Sequence, residues 1–114
     1  MEKDVFCQII EGKVPAKIVY DDGEVIAFWD IHPRAPIHIL IVPKKHIRSV
    51  CELTEEDAPI LSKMALVANK VAKKEGIFES GFRLVINCGP DSGMVVPHLH
   101  MHLLGGRRMG GLIG

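Results

Sequence analysis

The sequence predicts a single α+β domain over residues 1–114: an antiparallel sheet of about five strands, with one long and one short helix on one side. Three observations predict it. The chain has 114 residues, which suits one domain and exceeds the roughly 70–80 residues below which small folds need staples. Its β-type runs are joined by tight turns and a proline-rich link rather than by helical crossovers, which favours antiparallel pairing. One long stretch, beginning near Thr54, repeats its apolar residues at helical spacing.

Taken in order, Asp4 can cap a short helix through Val5-Phe6-Cys7-Gln8-Ile9-Ile10, which Gly12 stops. Lys17 to Tyr20 and Val25 to Trp29 flank the turn Asp21-Asp22-Gly23 and read as a hairpin. Pro33 and Pro36 lack the backbone donor a central strand needs, so residues 31–36 connect. Ile37 to Val42 is nearly continuous apolar sequence and reads as a central strand ended by Pro43. Thr54-Glu55-Glu56-Asp57 resembles a capping box. Ile60, Met64, Val67, Ala68 and Val71 then mark one face of a helix that Gly76 ends, with Pro59 leaving its start open by a few residues. Phe82 to Asn87 alternates, placing Phe82, Leu84 and Ile86 on one face. A turn-rich loop over 88–93 leads to a last strand, Val96 to Leu104.

Fourteen Lys and Arg balance fourteen Asp and Glu. That neutrality argues against a nucleic-acid polymer or a membrane surface as partner, both of which need a clustered positive field. No apolar run approaches the roughly 18 residues of a membrane span, and no signal peptide is expected in the stretch from Met1 to Glu11. Cys7, Cys51 and Cys88 are odd in number and widely spaced, so they read as reduced or buried thiols in a cytoplasmic protein, not as a disulfide frame.

Chemistry concentrates in the histidines, six in all. His98, His100 and His102 alternate with Leu99, Met101 and Leu103. On a strand, residues two apart share a face, so three imidazoles would project into one cavity while the aliphatic residues enter the core. Their backbones would be roughly 6–7 Å apart, a span that suits one phosphate group. Two chemistries fit. The histidines could hold a catalytic metal with His38 as a further ligand, although no general-base carboxylate adjoins them. Alternatively, a neutral imidazole could attack phosphorus and form a covalent intermediate, with the Gly89–Gly93 loop offering backbone N–H groups to phosphate oxygens and Asn87 holding a sugar hydroxyl or the leaving group.

His98-Leu99-His100-Met101-His102-Leu103-Leu104 resembles the signature of the histidine triad (HIT) superfamily. Phe6-Cys7-Gln8-Ile9-Ile10, Val14-Pro15-Ala16-Lys17-Ile18, Phe28-Trp29-Asp30-Ile31, Ala35-Pro36-Ile37-His38, Pro43-Lys44-Lys45-His46-Ile47 and Gly105-Gly106-Arg107 extend the likeness to its Hint branch. The resemblance implies a HIT-like fold whose sheet extends across a homodimer. It implies binding of purine nucleotides (AMP or GMP derivatives) and hydrolysis of nucleoside 5′-phosphoramidates through a nucleotidyl-histidine, with no cofactor. It makes His100 the nucleophile, assisted by His102, His98 and His38. Asp30 would bind the ribose hydroxyls with Ile31 lining the same pocket; Phe6, Val14 and Phe28 would wall the base; Asn87, Gly93, Met94 and Val95 would meet the phosphate end.

The sequence departs from the family at Met94 and Val95, where a glutamine and a small polar or acidic residue are usual. Help to the leaving group is therefore in question, and a nucleotide-binding regulatory or scaffold protein with weak catalysis is the alternative. Some bacterial relatives hold structural zinc through C-x-x-C and two histidines. Here Asp4, Cys7, His46 and His98 occupy that pattern, a set that could take zinc, but no metal is assigned. Trp29 reads as a packed aromatic beside the ribose site, and His32 as an exposed loop residue.

Overall fold

Two central strands are apolar along almost their whole length, and that decides the architecture. The computed structural model describes residues 4–111; Met1 to Lys3 and the last three residues of the glycine-rich tail lie outside the described residues. Helix α1 (Val5–Ile10) is followed by strands β1 (Ile18–Asp21), β2 (Val25–Trp29) and β3 (Ile37–Pro43). Helix α2 (Ala58–Lys74), strand β4 (Phe82–Val85) and strand β5 (Met101–Gly105) complete the order, with 3₁₀ turns at Val50–Glu52, Glu55–Asp57 and Pro90–Ser92. The five strands form one sheet, β1-β2-β3-β5-β4, antiparallel at every pairing.

The helices do not share one side as the sequence suggested. Alternate residues of β2 and β3 feed two cores. Val25, Ala27, Ile39 and Ile41 pack with Met64, Val67, Ala68 and Val71 of α2 on one face. Ile26, Phe28, Leu40 and Val42 pack with Phe6 and Ile9 of α1 on the other. A strand covered on both faces needs apolar residues at every position, which is why these runs show no alternation.

Local chemistry sets the helix ends. The Asp4 carboxylate accepts the Cys7 N–H at 2.7 Å and caps α1. Asp57 accepts from the backbone and hydroxyl of Thr54 at 3.3 and 3.0 Å and from Lys45 Nζ at 2.7 Å. Pro59 sits in the first turn of α2, where its missing N–H would have no intrahelical acceptor, so it costs nothing there. Gly76, at φ 78°, takes the left-handed conformation beyond the end of α2.

Two strand boundaries and one covalent link differ from expectation. β5 starts at Met101, not Val96: Pro97 has no donor, His98 N–H turns back to the Val96 carbonyl at 2.8 Å, and Leu99 N–H bonds the Ile47 carbonyl. β4 ends at Val85, and Leu84 is partly exposed because this strand is an edge of the sheet. Finally, Cys51 and Cys88 form a disulfide, with Cα atoms 6.6 Å apart across a separation of 37 residues. Two loops distant in sequence meet there, which spacing alone does not reveal. Only Cys7 is a free thiol, so cysteine usage no longer argues for a reducing compartment.

Candidate active site

β3 and β5 pair so that Leu40 faces His102 and His38 faces Leu104. His38 and His102 are therefore diagonal neighbours on the α1 side of the sheet, while Met101 and Leu103 enter the α2 core. On that same side lies a cavity of about 350 Å³. Its buried wall is Phe6, Phe28 and Leu40, with the Phe6 ring edge-on to Phe28 at 5.6 Å and to His100 at 5.0 Å. The end of β2 and residues 30–34 form one flank, and Asn87 with residues 93–96 the other.

Hydrogen bonds assign the imidazole tautomers. Arg34 N–H can only donate, and it reaches His38 Nδ1 at 3.0 Å. His38 therefore carries its proton on Nε2, which donates to His102 Nδ1 at 2.9 Å and faces Asp30 Oδ2 at 3.4 Å. His102 in turn carries its proton on Nε2, a buried atom with no hydrogen-bond partner among the described residues. In the adjacent ring, His100 Nδ1–H donates to the His98 carbonyl at 2.7 Å, which leaves the lone pair on Nε2. Two neighbouring rings, 5.0 Å apart, thus present one nucleophilic nitrogen and one N–H donor.

Burial keeps these rings neutral. It pushes the His102 pKa down to about 4, with further help from His100 and His38. Burial also lowers His100, outweighing the bond to the His98 carbonyl that favours its charged form. The same desolvation lowers His38, against the opposing pull of the Asp30 carboxylate.

Of the residues singled out in the sequence, Phe6, Val14, Phe28, Asp30, Ile31, Asn87, Gly93, Met94, Val95, His100 and His102 line the cavity. His98 does not. The turn at Pro97 sends its fully buried ring the other way, where Nε2–H donates to the Pro43 carbonyl at 2.9 Å and Nδ1 meets Asp4 Oδ2 at 3.1 Å. His98 reaches the site through its carbonyl alone, and His38 through His102. The three imidazoles of the triad therefore do not converge on one point. Two loop amides are also already engaged: Gly93 N–H bonds the Pro90 carbonyl at 3.1 Å, and Met94 N–H the Ser92 hydroxyl at 3.2 Å.

Trp29 and His32 also line the cavity, as do Val5, Ile9, Arg34 and Leu40, which the sequence did not point to. The spacing of Val5 and Ile9, four apart on α1, is the signal that could have found two of them. Nothing local marks Arg34.

Among the described residues, ligand atoms that could hold a metal gather in two separate groups. Asp4, Cys7, His46 and His98 offer one oxygen, one sulfur and two nitrogens, all within 4.8 Å of one another, a donor set suited to tetrahedral zinc. Asp4 Oδ2 lies 3.1 Å from both ring nitrogens. Burial raises the Asp4 pKa, but the Cys7 N–H and His98 outweigh it and hold the carboxyl below its ordinary value; burial and Asp4 push the Cys7 thiol up. The second group is Asp30, His38 and His102.

The HIT domain family matches residues 11–109. The chain is 46% identical over 112 residues to the purine nucleoside phosphoramidase of Escherichia coli, covering 98% of this chain and 94% of that protein. Among solved structures, a HIT family hydrolase from Clostridium thermocellum is 51% identical with a TM-score of 0.96, covering 99% and 98% of the two chains. Another, from Legionella pneumophila, is 43% identical with a TM-score of 0.95, covering 98% and 100%.

Proposed function

Because the chain belongs to the HIT domain family, we propose that it is a purine nucleoside phosphoramidase, hydrolysing the P–N bond of nucleoside 5′-phosphoramidates through a covalent nucleotidyl-histidine. The observation that carries this reading is the pairing of His100 Nε2, a free lone pair, with the unpartnered N–H of His102 in one cavity.

In the first step His100 Nε2 attacks phosphorus, and the P–N bond of the substrate breaks. Its electron pair goes to the leaving nitrogen, which takes a proton from His102 Nε2–H. His38 Nε2–H, hydrogen-bonded to His102 Nδ1, stabilises the negative charge left on that ring, which the positive charge of nucleotidylated His100, still protonated at Nδ1, balances. In the second step water attacks the nucleotidyl-histidine. The N–P bond to His100 breaks, a water proton returns to His102, and a nucleoside monophosphate leaves. His98 contributes by orienting His100 through its carbonyl, a positioning role. Asp30 supplies a carboxylate for the ribose hydroxyls, and Phe6, Val14, Phe28 and Ile31 supply apolar area for a purine. Such a wall selects by size and stacking, so AMP and GMP derivatives both fit.

In this reading the whole chain acts as one unit, in the cytoplasm. Homodimerisation belongs to the same reading: β4 is an open sheet edge, with Leu84, Phe78 and Leu66 exposed, and pairing two such edges would continue the sheet and cover apolar surface. A nucleotide-binding scaffold with weak catalysis is the second reading, favoured by the apolar side chains of Met94 and Val95.

Acid quenching during turnover of adenosine 5′-phosphoramidate, followed by mass spectrometry, tests the mechanism. A nucleotidyl adduct on the wild type and none on His100→Ala is expected, with turnover lost in the variant. Undiminished turnover by pure His100→Ala protein refutes it. Nucleotide binding without turnover of any phosphoramidate favours the scaffold.

A further inference from the structure

We infer that the amine displaced from phosphorus is apolar, with its hydrocarbon body seated on Val95 and Met94 at the mouth of the cavity. The inference rests on the phosphoramidase reading and names the leaving-group class.

Direction comes first. His100 is 7% exposed and lies against the buried Phe6 ring, so its Nε2 attacks from the cavity floor. In-line displacement puts the leaving group on the far side of phosphorus, toward solvent. What stands at that mouth is apolar. Val95 is 88% exposed and Val5 42%, and both line the cavity, as does Ile31, 82% exposed, on the purine's side. Isolated exposed aliphatic residues need no explanation, but several on one cavity rim mark a surface that apolar material covers.

Polar side chains line the cavity at Asp30, His32, Arg34 and Asn87, but the loop that carries Met94 and Val95 has none over the stretch that faces it. Gly93-Met94-Val95-Val96 carries no polar side chain over four consecutive positions. The nearest hydroxyl, Ser92, donates to the Gly89 carbonyl at 2.6 Å and accepts from Met94 N–H, so it is committed within its own loop. A polar or charged leaving group seated on Met94 and Val95 would lose water there and gain no side-chain partner from residues 93–96, which costs binding. An alkyl or aryl amine loses nothing polar beyond its nitrogen, and that nitrogen receives its proton from His102 Nε2–H as the P–N bond breaks.

The test compares three adenosine 5′-phosphoramidates on the intact protein: those of phenethylamine, of ethanolamine (an amine of similar basicity) and of ammonia. The phenethylamine substrate is expected to exceed the ethanolamine one in kcat/KM by about tenfold, within the range for apolar groups in a pocket. Val95→Ser is expected to shrink that ratio about fivefold, and Val95→Leu to preserve it. Equal constants for the two substituted amines, or a ratio unchanged in Val95→Ser, overturn the inference while leaving the phosphoramidase reading intact. No turnover of any of the three overturns both.

Discussion

Replacing His38 with leucine tests the proton arrangement most directly, because one ring holds two others in place. His38 is buried at 1% exposure; its Nδ1 accepts from Arg34 N–H at 3.0 Å, and its Nε2–H donates to His102 Nδ1 at 2.9 Å. Leucine supplies neither bond. Each buried polar group left unpaired costs about 1–3 kcal/mol, partly offset by the added apolar burial, so a net destabilisation of about 2–4 kcal/mol is expected. His102 then loses the donor that fixes its tautomer, and its proton is free to occupy Nδ1, away from the cavity. Loss of an orienting partner typically costs about 10–100-fold, and here it falls on kcat more than on KM, since His38 itself does not line the cavity. Chemical denaturation gives the stability, single-turnover kinetics the rate, and nitrogen NMR the tautomer. His38→Gln can restore the donor to His102 and is expected to recover part of kcat. Wild-type kcat in His38→Leu, with the proton still on His102 Nε2, would refute the reasoning.

Three further outcomes follow from the same geometry. His100 and His102 have pKa values lowered by burial in the fold, so the unfolded chain binds more protons below its ordinary histidine value near 6.5; stability is fully present above that pH and declines as pH falls toward about 4. Denaturation midpoints across that window check the sign, and the acid limb of kcat/KM is expected below 6.5. Asp4→Ala removes the cap on Cys7 N–H and the carboxylate facing His98 and His46; a loss of about 2–4 kcal/mol is expected from the cap and from the lost partner of buried His98 Nδ1, and a loss under about 0.5 kcal/mol would contradict the role given to Asp4. Dialysis against a strong chelator is expected to leave phosphoramidase turnover in place, because the His100 Nε2 lone pair performs the attack; abolished turnover restored by a metal would replace that mechanism.

Much of the fold was legible because its signals are local. The Asp4 cap, the Asp22-Gly23 hairpin, the Thr54–Asp57 capping box and the helical stripe ending at Gly76 each depend on residues a few positions apart. Alternation around residues 99–103 likewise separates the aliphatic side chains from the imidazoles, whatever the rest of the chain does. Pro97 was visible too, and its missing donor explains why β5 begins only at Met101.

What required the tertiary structure were pairings between residues far apart in the chain. The tautomer of His102 depends on His38, 64 residues away, and through it on one backbone N–H of Arg34. The Cys51–Cys88 bond closes two loops that no periodicity connects. His98 shares the triad's pattern, yet its ring is held by Asp4 and Pro43 outside the cavity. Backbone geometry repeats over short distances and so imprints itself on the sequence as a pattern, whereas a hydrogen bond formed across the sheet depends on register and packing that only the folded chain sets.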